Sequence, residues 1–292
     1  MDKKISIVRP SKVFKIPINL LTQKAFGTHL DGNETIETEV LESRRRNITS
    51  KVTIINKNQK EVFLSEFDYA VLNACIFEYS RGNEYTSAAI IFRYLGGNRL
   101  TPNTRKEIEH SLEKLATVRI HVDAQNACKK GIIRDEDGST SFSGYLLPNE
   151  SLNLKLNGQV VLGVHILSGG IISYMANLHD QIISCPIDLL QAPVKSTPRN
   201  IALNHYLLRR TLSIKGSNEL AATNKHITPL CKVISFDDLY KQCGVDAKNK
   251  RQRQEVRETT EKILQFLVKN DVIADFRFVK KDGGFYSIEI FL

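Results

Sequence analysis

The sequence predicts an α+β fold of two tandem units, each a helix-turn-helix followed by a β-hairpin. Three observations predict it. Apolar residues recur at helical spacing in successive segments and then give way to β-like alternation. Cap and stop signals punctuate those segments. The same order of elements then returns between residues 197 and 292. The 292 residues suit two domains of ~100–150 residues. They divide into an N-terminal arm (1–50), a first unit with an extra β-hairpin (51–192) and a second unit (193–292).

Residues 1–50 have little periodicity beyond a short β-like piece, Val13 to Ile18. Arg44, Arg45, Arg46 and Lys51 form a basic cluster there, readable as a solvated loop or as an arm along a phosphate backbone. Residues 52–63 resemble a hairpin turning across Asn56–Lys60. Ser65, with Asp68 three places on, opens a helix carrying Phe67, Val71, Leu72, Cys75, Ile76 and Tyr79, up to Gly82. Thr86 or Ser87 caps a second helix with Ala89, Ile90, Phe92 and Leu95 on its apolar side. Gly96-Gly97-Asn98 stops it, because these residues tolerate positive φ. Thr101 caps a third helix, with Pro102 in the first turn where its missing N–H costs nothing. Val118 to Val122 alternates as a strand, and the polar segment from Cys128 to Ser143 reads as a long hairpin. Tyr145 to Leu147 and Leu152 to Leu156 read as further strands, with Asn157-Gly158 as a two-residue hairpin turn.

The second unit starts with Thr197 and Pro198 at the head of a helix running to Gly216. Ser235 opens a short helix that stops at Gly244, and a long helix covers about residues 247–270. Ile273 to Val279 and Phe285 to Phe291 are strands joined by a tight basic turn. Helix-turn-helix followed by hairpin is the outline of a winged helix.

The chemistry is read from the charges. Lys plus Arg is 41 against 32 acidic residues, for a net charge of +9. That favours a polyanionic partner, and the distribution matters more than the sum. On the 247–270 helix, Val256, Thr260, Ile263 and Leu267 form a core stripe. Lys250, Gln254, Arg257, Glu258, Glu261 and Gln265 lie opposite. A recognition helix places its N-terminal residues in the major groove, where Arg suits guanine and Gln suits adenine. Arg251, Gln254 and Arg257 are therefore the candidate base readers, with Lys248, Lys250 and Arg253 as phosphate contacts. A solvated face laced by pairs such as Arg257–Glu261 is the bland alternative.

In the first unit Asn103 and Lys106 face outward, flanked by Arg99 and Arg105, but Glu107, Glu109 and Glu113 dilute the charge. That helix reads equally as a DNA contact, a dimer contact or simple packing. Lys280 and Lys281 mark a short wing, or an ordinary turn. Lys129, Lys130 and Arg134 fall in the first wing, whose acidic run Asp135-Glu136-Asp137 would repel phosphate.

Enzyme classes are weighed by their motifs. The chain has no Walker A motif, no G-x-S-x-G elbow and no H-E-x-x-H. Its seven histidines are never closer than 11 residues. The expectation is a protein without catalytic residues, metal or cofactor. Five cysteines, at 75, 128, 185, 231 and 243, form neither a disulfide framework nor a zinc pattern. The apolar stretch from Gln159 to Met175 is broken by Gly163, His165, Gly169 and Gly170 and does not suit a bilayer. A cytoplasmic setting without a membrane partner is expected.

The two-unit order resembles the twin winged-helix replication initiators (Rep proteins) of theta-replicating plasmids. The resembling stretches are residues 63–147, notably FLSEFDYAVLNACIF and LTPNTRKEIEHSLEKLATVRI, and residues 197–292, notably VISFDDLYKQCGV, RQRQEVRETTEKILQFLVKNDVI and GGFYSIEIFL. The resemblance implies recognition of direct repeats (iterons) in double-stranded origin DNA, chiefly through Arg251, Gln254 and Arg257, with Asn103 and Lys106 on the adjoining bases. It also implies a dimer interface in the first domain, and the host initiator ATPase and replicative helicase as partners. The weakly basic first recognition helix departs from the pattern. A transcriptional repressor built on the same winged helices is the alternative, and a protein-only interaction module is a third reading.

Overall fold

A computed structural model of the chain describes residues 13–17, 26, 28–30, 33–41, 47–56, 62–123, 141–156, 159–178, 182–223, 229–245, 249–281 and 284–292. The strands are β1 (Val13–Pro17), β2 (Thr28–Leu30), β3 (Asn33–Leu41), β4 (Asn47–Asn56), β5 (Val62–Leu64), β6 (Tyr85–Ser87), β7 (Val118–Asp123), β8 (Ser141–Tyr145), β9 (Asn149–Leu156), β10 (Gln159–Ile166), β11 (Ile182–Pro186), β12 (Val233–Ser235), β13 (Asp275–Lys281) and β14 (Gly284–Phe291). The helices are α1 (Glu66–Ser80), α2 (Ala88–Tyr94), α3 (Pro102–Thr117), α4 (Gly170–Leu178), α5 (Pro198–Thr223), α6 (Phe236–Gln242) and α7 (Lys250–Lys269). It is a mixed helix and sheet fold. No helix among the described residues is long and apolar enough to cross a membrane.

Local chemistry explains the helix starts. Ser65 and Asp68 form a reciprocal capping box on α1: Ser65 Oγ accepts from the Asp68 N–H, and the Asp68 carboxylate accepts from the Ser65 N–H at 2.7 Å. Ser87 caps α2, Thr101 caps α3 with Pro102 at its start, Ser235 caps α6 and Asn249 caps α7. Gly96 ends the α2 turn at φ +79°, and an added Cβ there would lie 2.1 Å from the Leu190 carbonyl oxygen.

The two halves repeat one plan. In the first, α1 leads through β6 to α2 and α3, and β6 joins an antiparallel sheet in the order β6-β10-β9. In the second, α5 leads through β12 to α6 and α7, and the sheet order is β12-β14-β13. In both, the short first strand ends on the serine that caps the next helix.

Several expectations are corrected. The hairpin that returns to β6 is β9–β10, paired from Leu156↔Gln159 to Asn149↔Ile166. β7 and β8 instead join β3 and β4 in a four-stranded sheet, drawn from before α1 and from between α3 and that hairpin. Alternation finds strands but not their partners, so sequence order suggested the nearer pair. The acidic run and Lys129, Lys130 and Arg134 therefore belong to the β7–β8 connection rather than to the β9–β10 hairpin, and they lie outside the described residues. Residues 52–63 do not fold back on themselves: β4 pairs with β3 and β7, and β5 pairs with β2. The stretch read as an arm supplies β1 to β3 and the start of β4, which crosses the boundary expected at residue 50. The β-branched run from Thr35 to Val40 was the signal overlooked. Arg44, Arg45 and Arg46 lie outside the described residues.

In α2 the buried face is Ala88, Ile91, Phe92 and Leu95, not Ala89 and Ile90. Helix α5 continues beyond Gly216 to Thr223. A helical glycine costs only about 1 kcal/mol, and Asn218 Nδ2 donates to the Ile214 and Leu230 carbonyls, holding that last stretch.

Helix α1 is buried on every side from Glu66 to Glu78, because α5 covers what would have been its polar face. The two helices share a buried ionic cluster. Glu66 accepts from His205 Nδ1 at 2.7 Å and from Arg209 Nη2 at 2.9 Å, while Asn73 Nδ2 lies 3.0 Å from His205 Nε2. The Arg209 guanidinium also lies over Tyr69 and Tyr206. Burial alone would raise the Glu66 carboxyl. The charges of Arg209 and His205 and their hydrogen bonds outweigh it, so the net direction is down. Cys75 and Cys185 are buried free thiols, Cys243 is half-buried and Cys231 is exposed.

Candidate nucleic-acid interface

In the second half α6 leads to α7, and side chains of α7 reach Tyr240 of α6 and Phe285 of the β13–β14 hairpin. Val256, Thr260, Ile263, Leu264 and Leu267 are buried, as the 3.6-residue period requires. Lys250, Arg251, Gln254, Glu255, Glu258, Glu261 and Gln265 are exposed. Two of these make i,i+4 bonds along the helix: Arg251 Nε donates to Glu255 at 3.1 Å, and Gln254 Nε2 to Glu258 at 2.9 Å. Glu255 also faces Arg199 at 3.7 Å. The bland prediction of i,i+4 lacing thus holds on this face, through other pairs than Arg257–Glu261.

Arg253 and Arg257 sit differently. Both are half-buried, on the flank toward α6 and the hairpin. The Arg253 guanidinium lies 4.6 Å from the centre of the Tyr240 ring. Arg257 lies 5.0 Å from the centre of the Phe285 ring, and its Nη1 donates to Tyr240 Oη at 3.4 Å. Wheel geometry placed Arg257 on the open face, but α6 and β14 close on that side. From the hairpin, the exposed Lys280 brings its Nζ to 4.9 Å from the same Phe285 ring. Lys281 lies 5.5 Å from Tyr286 on the opposite face of β14, as strand alternation dictates. Cation–ring contacts of this kind contribute ~0.5–1 kcal/mol at exposed sites. Arg253 and Arg257 of α7 and Lys280 of β13 are thus gathered on the rings of Tyr240 and Phe285, beside the exposed Lys250 and Arg251. Lys248 lies outside the described residues.

In the first half, Asn103, Arg105 and Lys106 are exposed in the first turns of α3, and Arg99 is exposed just before it. Ile108 and Leu112 point inward, as expected. The exposed His110 pairs with Glu113 at 3.7 Å. Lys114 turns inward, to 2.6 Å from the buried Asp68 carboxylate. The β9–β10 hairpin meets α3 through Asn149, whose Nδ2 donates to the Leu112 carbonyl at 3.2 Å.

Tyr240, Phe285 and Tyr286 were not singled out from the sequence. The available signal was the placement of aromatics beside a lysine turn and one helix away from arginines spaced four apart. Of the histidines, His205 is structural, held in the buried cluster of α1 and α5.

No family model matches this chain, and no curated protein matches it in sequence. Among solved structures the chain is similar to a two-domain arrangement, domains 2 and 3 of the protein RctB. A crystal structure of these domains aligns with 91% of this chain and 93% of its own, at TM-score 0.45 and 10% identity. A selenomethionine form of the same domains aligns with 94% and 98%, at TM-score 0.46 and 11% identity.

Proposed function

We propose that this protein is a non-catalytic, sequence-specific binder of double-stranded DNA. Two tandem winged helices would recognise direct repeats at a replication origin. The observation that carries the reading is the joint surface of α7 and the β13–β14 hairpin. There Lys250 and Arg251 stand exposed, and Arg253, Arg257 and Lys280 are braced on rings, while Lys281 lies over Tyr286 on the other face of β14. A helix of ~10–12 Å diameter fits the ~12 Å major groove. With α7 seated there, the hairpin lies over the neighbouring backbone. Arg251 and Gln254 then face base edges, exchanging Glu255 and Glu258 for the DNA, while Arg253, Arg257 and the lysines hold phosphates. This shifts Arg257 from the base-reading role expected of it toward a backbone role. Asn103, Arg105, Lys106 and Arg99 offer a second, weaker contact. The repeated plan of the two halves supports direct repeats as the target, with each half taking part of one repeat. The host initiator ATPase, the replicative helicase and a dimer through the first domain remain partners implied by the resemblance.

The test is a binding titration on DNA flanking the gene against scrambled DNA, at several salt concentrations. Tight binding to flanking DNA alone, falling steeply with salt, is expected. Footprints on several repeats spaced by whole helical turns support the origin role, whereas one protected palindrome points to a repressor. Equal, weak binding to both DNAs with a shallow salt slope would overturn the proposal.

A further inference from the structure

We infer that Phe285 is a positioning residue for the DNA surface. Its ring fixes the guanidinium of α7 and the ammonium of the hairpin as one two-point anion clamp. The inference rests on the DNA-binding reading and adds to it a residue that carries no charge and touches no DNA.

The geometry is specific. Arg257 and Lys280 come from elements separated in sequence, and both stand about 5 Å from the centre of one ring. Their charges are therefore within ~10 Å of each other, close to one Debye length at physiological salt. Two cations that close repel, and in solution each long side chain would swing away. The negative faces of the ring offset that repulsion and hold both charges near the same place before any ligand arrives. A phosphate backbone passing the ring meets two charges whose ordering cost is already met. Phe285 is itself fixed, edge-on to Phe236 at 5.8 Å and to Phe278 at 5.9 Å. Strand alternation leaves its neighbour Tyr286 on the other face, exposed, with Lys281 as its cation. One dipeptide thus orients both lysines of the turn, and only the Phe285 side is tied to the helix.

The experiment compares Phe285→Leu in the wild-type background and in an Arg257→Ala Lys280→Ala background, with affinity for the specific DNA as the readout. Each cation held by the ring contributes a factor of about 2 to 5. Phe285→Leu is therefore expected to weaken wild-type binding by roughly 4- to 25-fold and to change the double variant little. Phe285→Tyr, which keeps the ring, should retain most of the affinity. A purely structural role predicts the same loss in both backgrounds, and that result would overturn the inference. Because Phe285→Leu risks misfolding, fluorinated phenylalanines at 285 supply a second measurement. They preserve the shape while draining the ring face, so affinity should fall stepwise with fluorination. Unchanged affinity across that series would also overturn the inference. Both results leave DNA binding by the wild-type protein standing, whereas failure of the wild-type protein to bind any DNA above the scrambled control would remove both readings together.

Discussion

Helices α3 and α7 hold the same place in two units of like order, yet their surfaces differ. α7 opens with Lys250, Arg251, Arg253 and Arg257, and meets its hairpin through cations laid on rings. α3 opens with Asn103, Arg105 and Lys106 among glutamates, and meets its hairpin through the amide of Asn149. A shared topology thus does not impose a shared surface. The buried stripe is constrained by packing, and the outer face is left for function to choose. The first half also carries a further four-stranded sheet, and its leading helix is covered by the leading helix of the second. On the proposed function the second half is the reader and the first the body that holds it.

The strongest way to break this comparison is to separate the halves. Arg209→Met leaves the fully buried Glu66 without its guanidinium, and is expected to cost ~3–5 kcal/mol in denaturant unfolding. A cost below about 1 kcal/mol would mean the cluster does not tie the halves together. The same tie predicts an acid response. The folded Glu66 carboxyl lies below its ordinary value of 4.5, so its stabilisation is complete above that value and fades as the pH falls through the lower folded one. The stability gap between wild type and Glu66→Gln should therefore narrow on acidification below about pH 4.5. A gap that widens there would reverse the assignment.

The next effect compares α3 with α7. Arg251→Ala and Gln254→Ala should each lose ~1–3 kcal/mol on specific DNA and little on scrambled DNA. Lys106→Ala in α3 should weaken both DNAs alike and lower the salt slope by about 1. Equal specific losses from the two helices would erase the distinction between reader and body. The smallest effect concerns the caps. Ser65 has a reciprocal box with Asp68, whereas Ser235 only accepts from the Asp237 N–H. Ser65→Ala should cost ~1–2 kcal/mol of thermal stability, and Ser235→Ala nearer ~0.5 kcal/mol.

Much of this was legible in the residues. Caps at Ser65, Thr101 and Ser235 and the stripe of α7 stand where periodicity put them, because both are written within one turn of chain. Strand partnership was not. The pairing of β6 with β10 joins residues far apart in sequence, and nothing local distinguishes β8 from β9 as the strand of the hairpin. The basic residues of the site were visible as a list, and their division into open and braced was not. Arg251 and Arg257 stand equally far from the core stripe on a wheel, on opposite flanks, and only the arrival of β14 shows which flank is closed.

The burial of α1 against α5 has a consequence for measurement. A pair of reading heads joined by a flexible tether tolerates changes in the gap between its marks, whereas a pair joined through a shared core behaves as a caliper. With Glu66, His205 and Arg209 locked across the joint, the protein would gauge distance and helical phase along its target as well as spelling. Inserting ~5 base pairs inside one site turns the far marks to the opposite side of the duplex. A caliper loses its grip there, however well each half still matches its own letters.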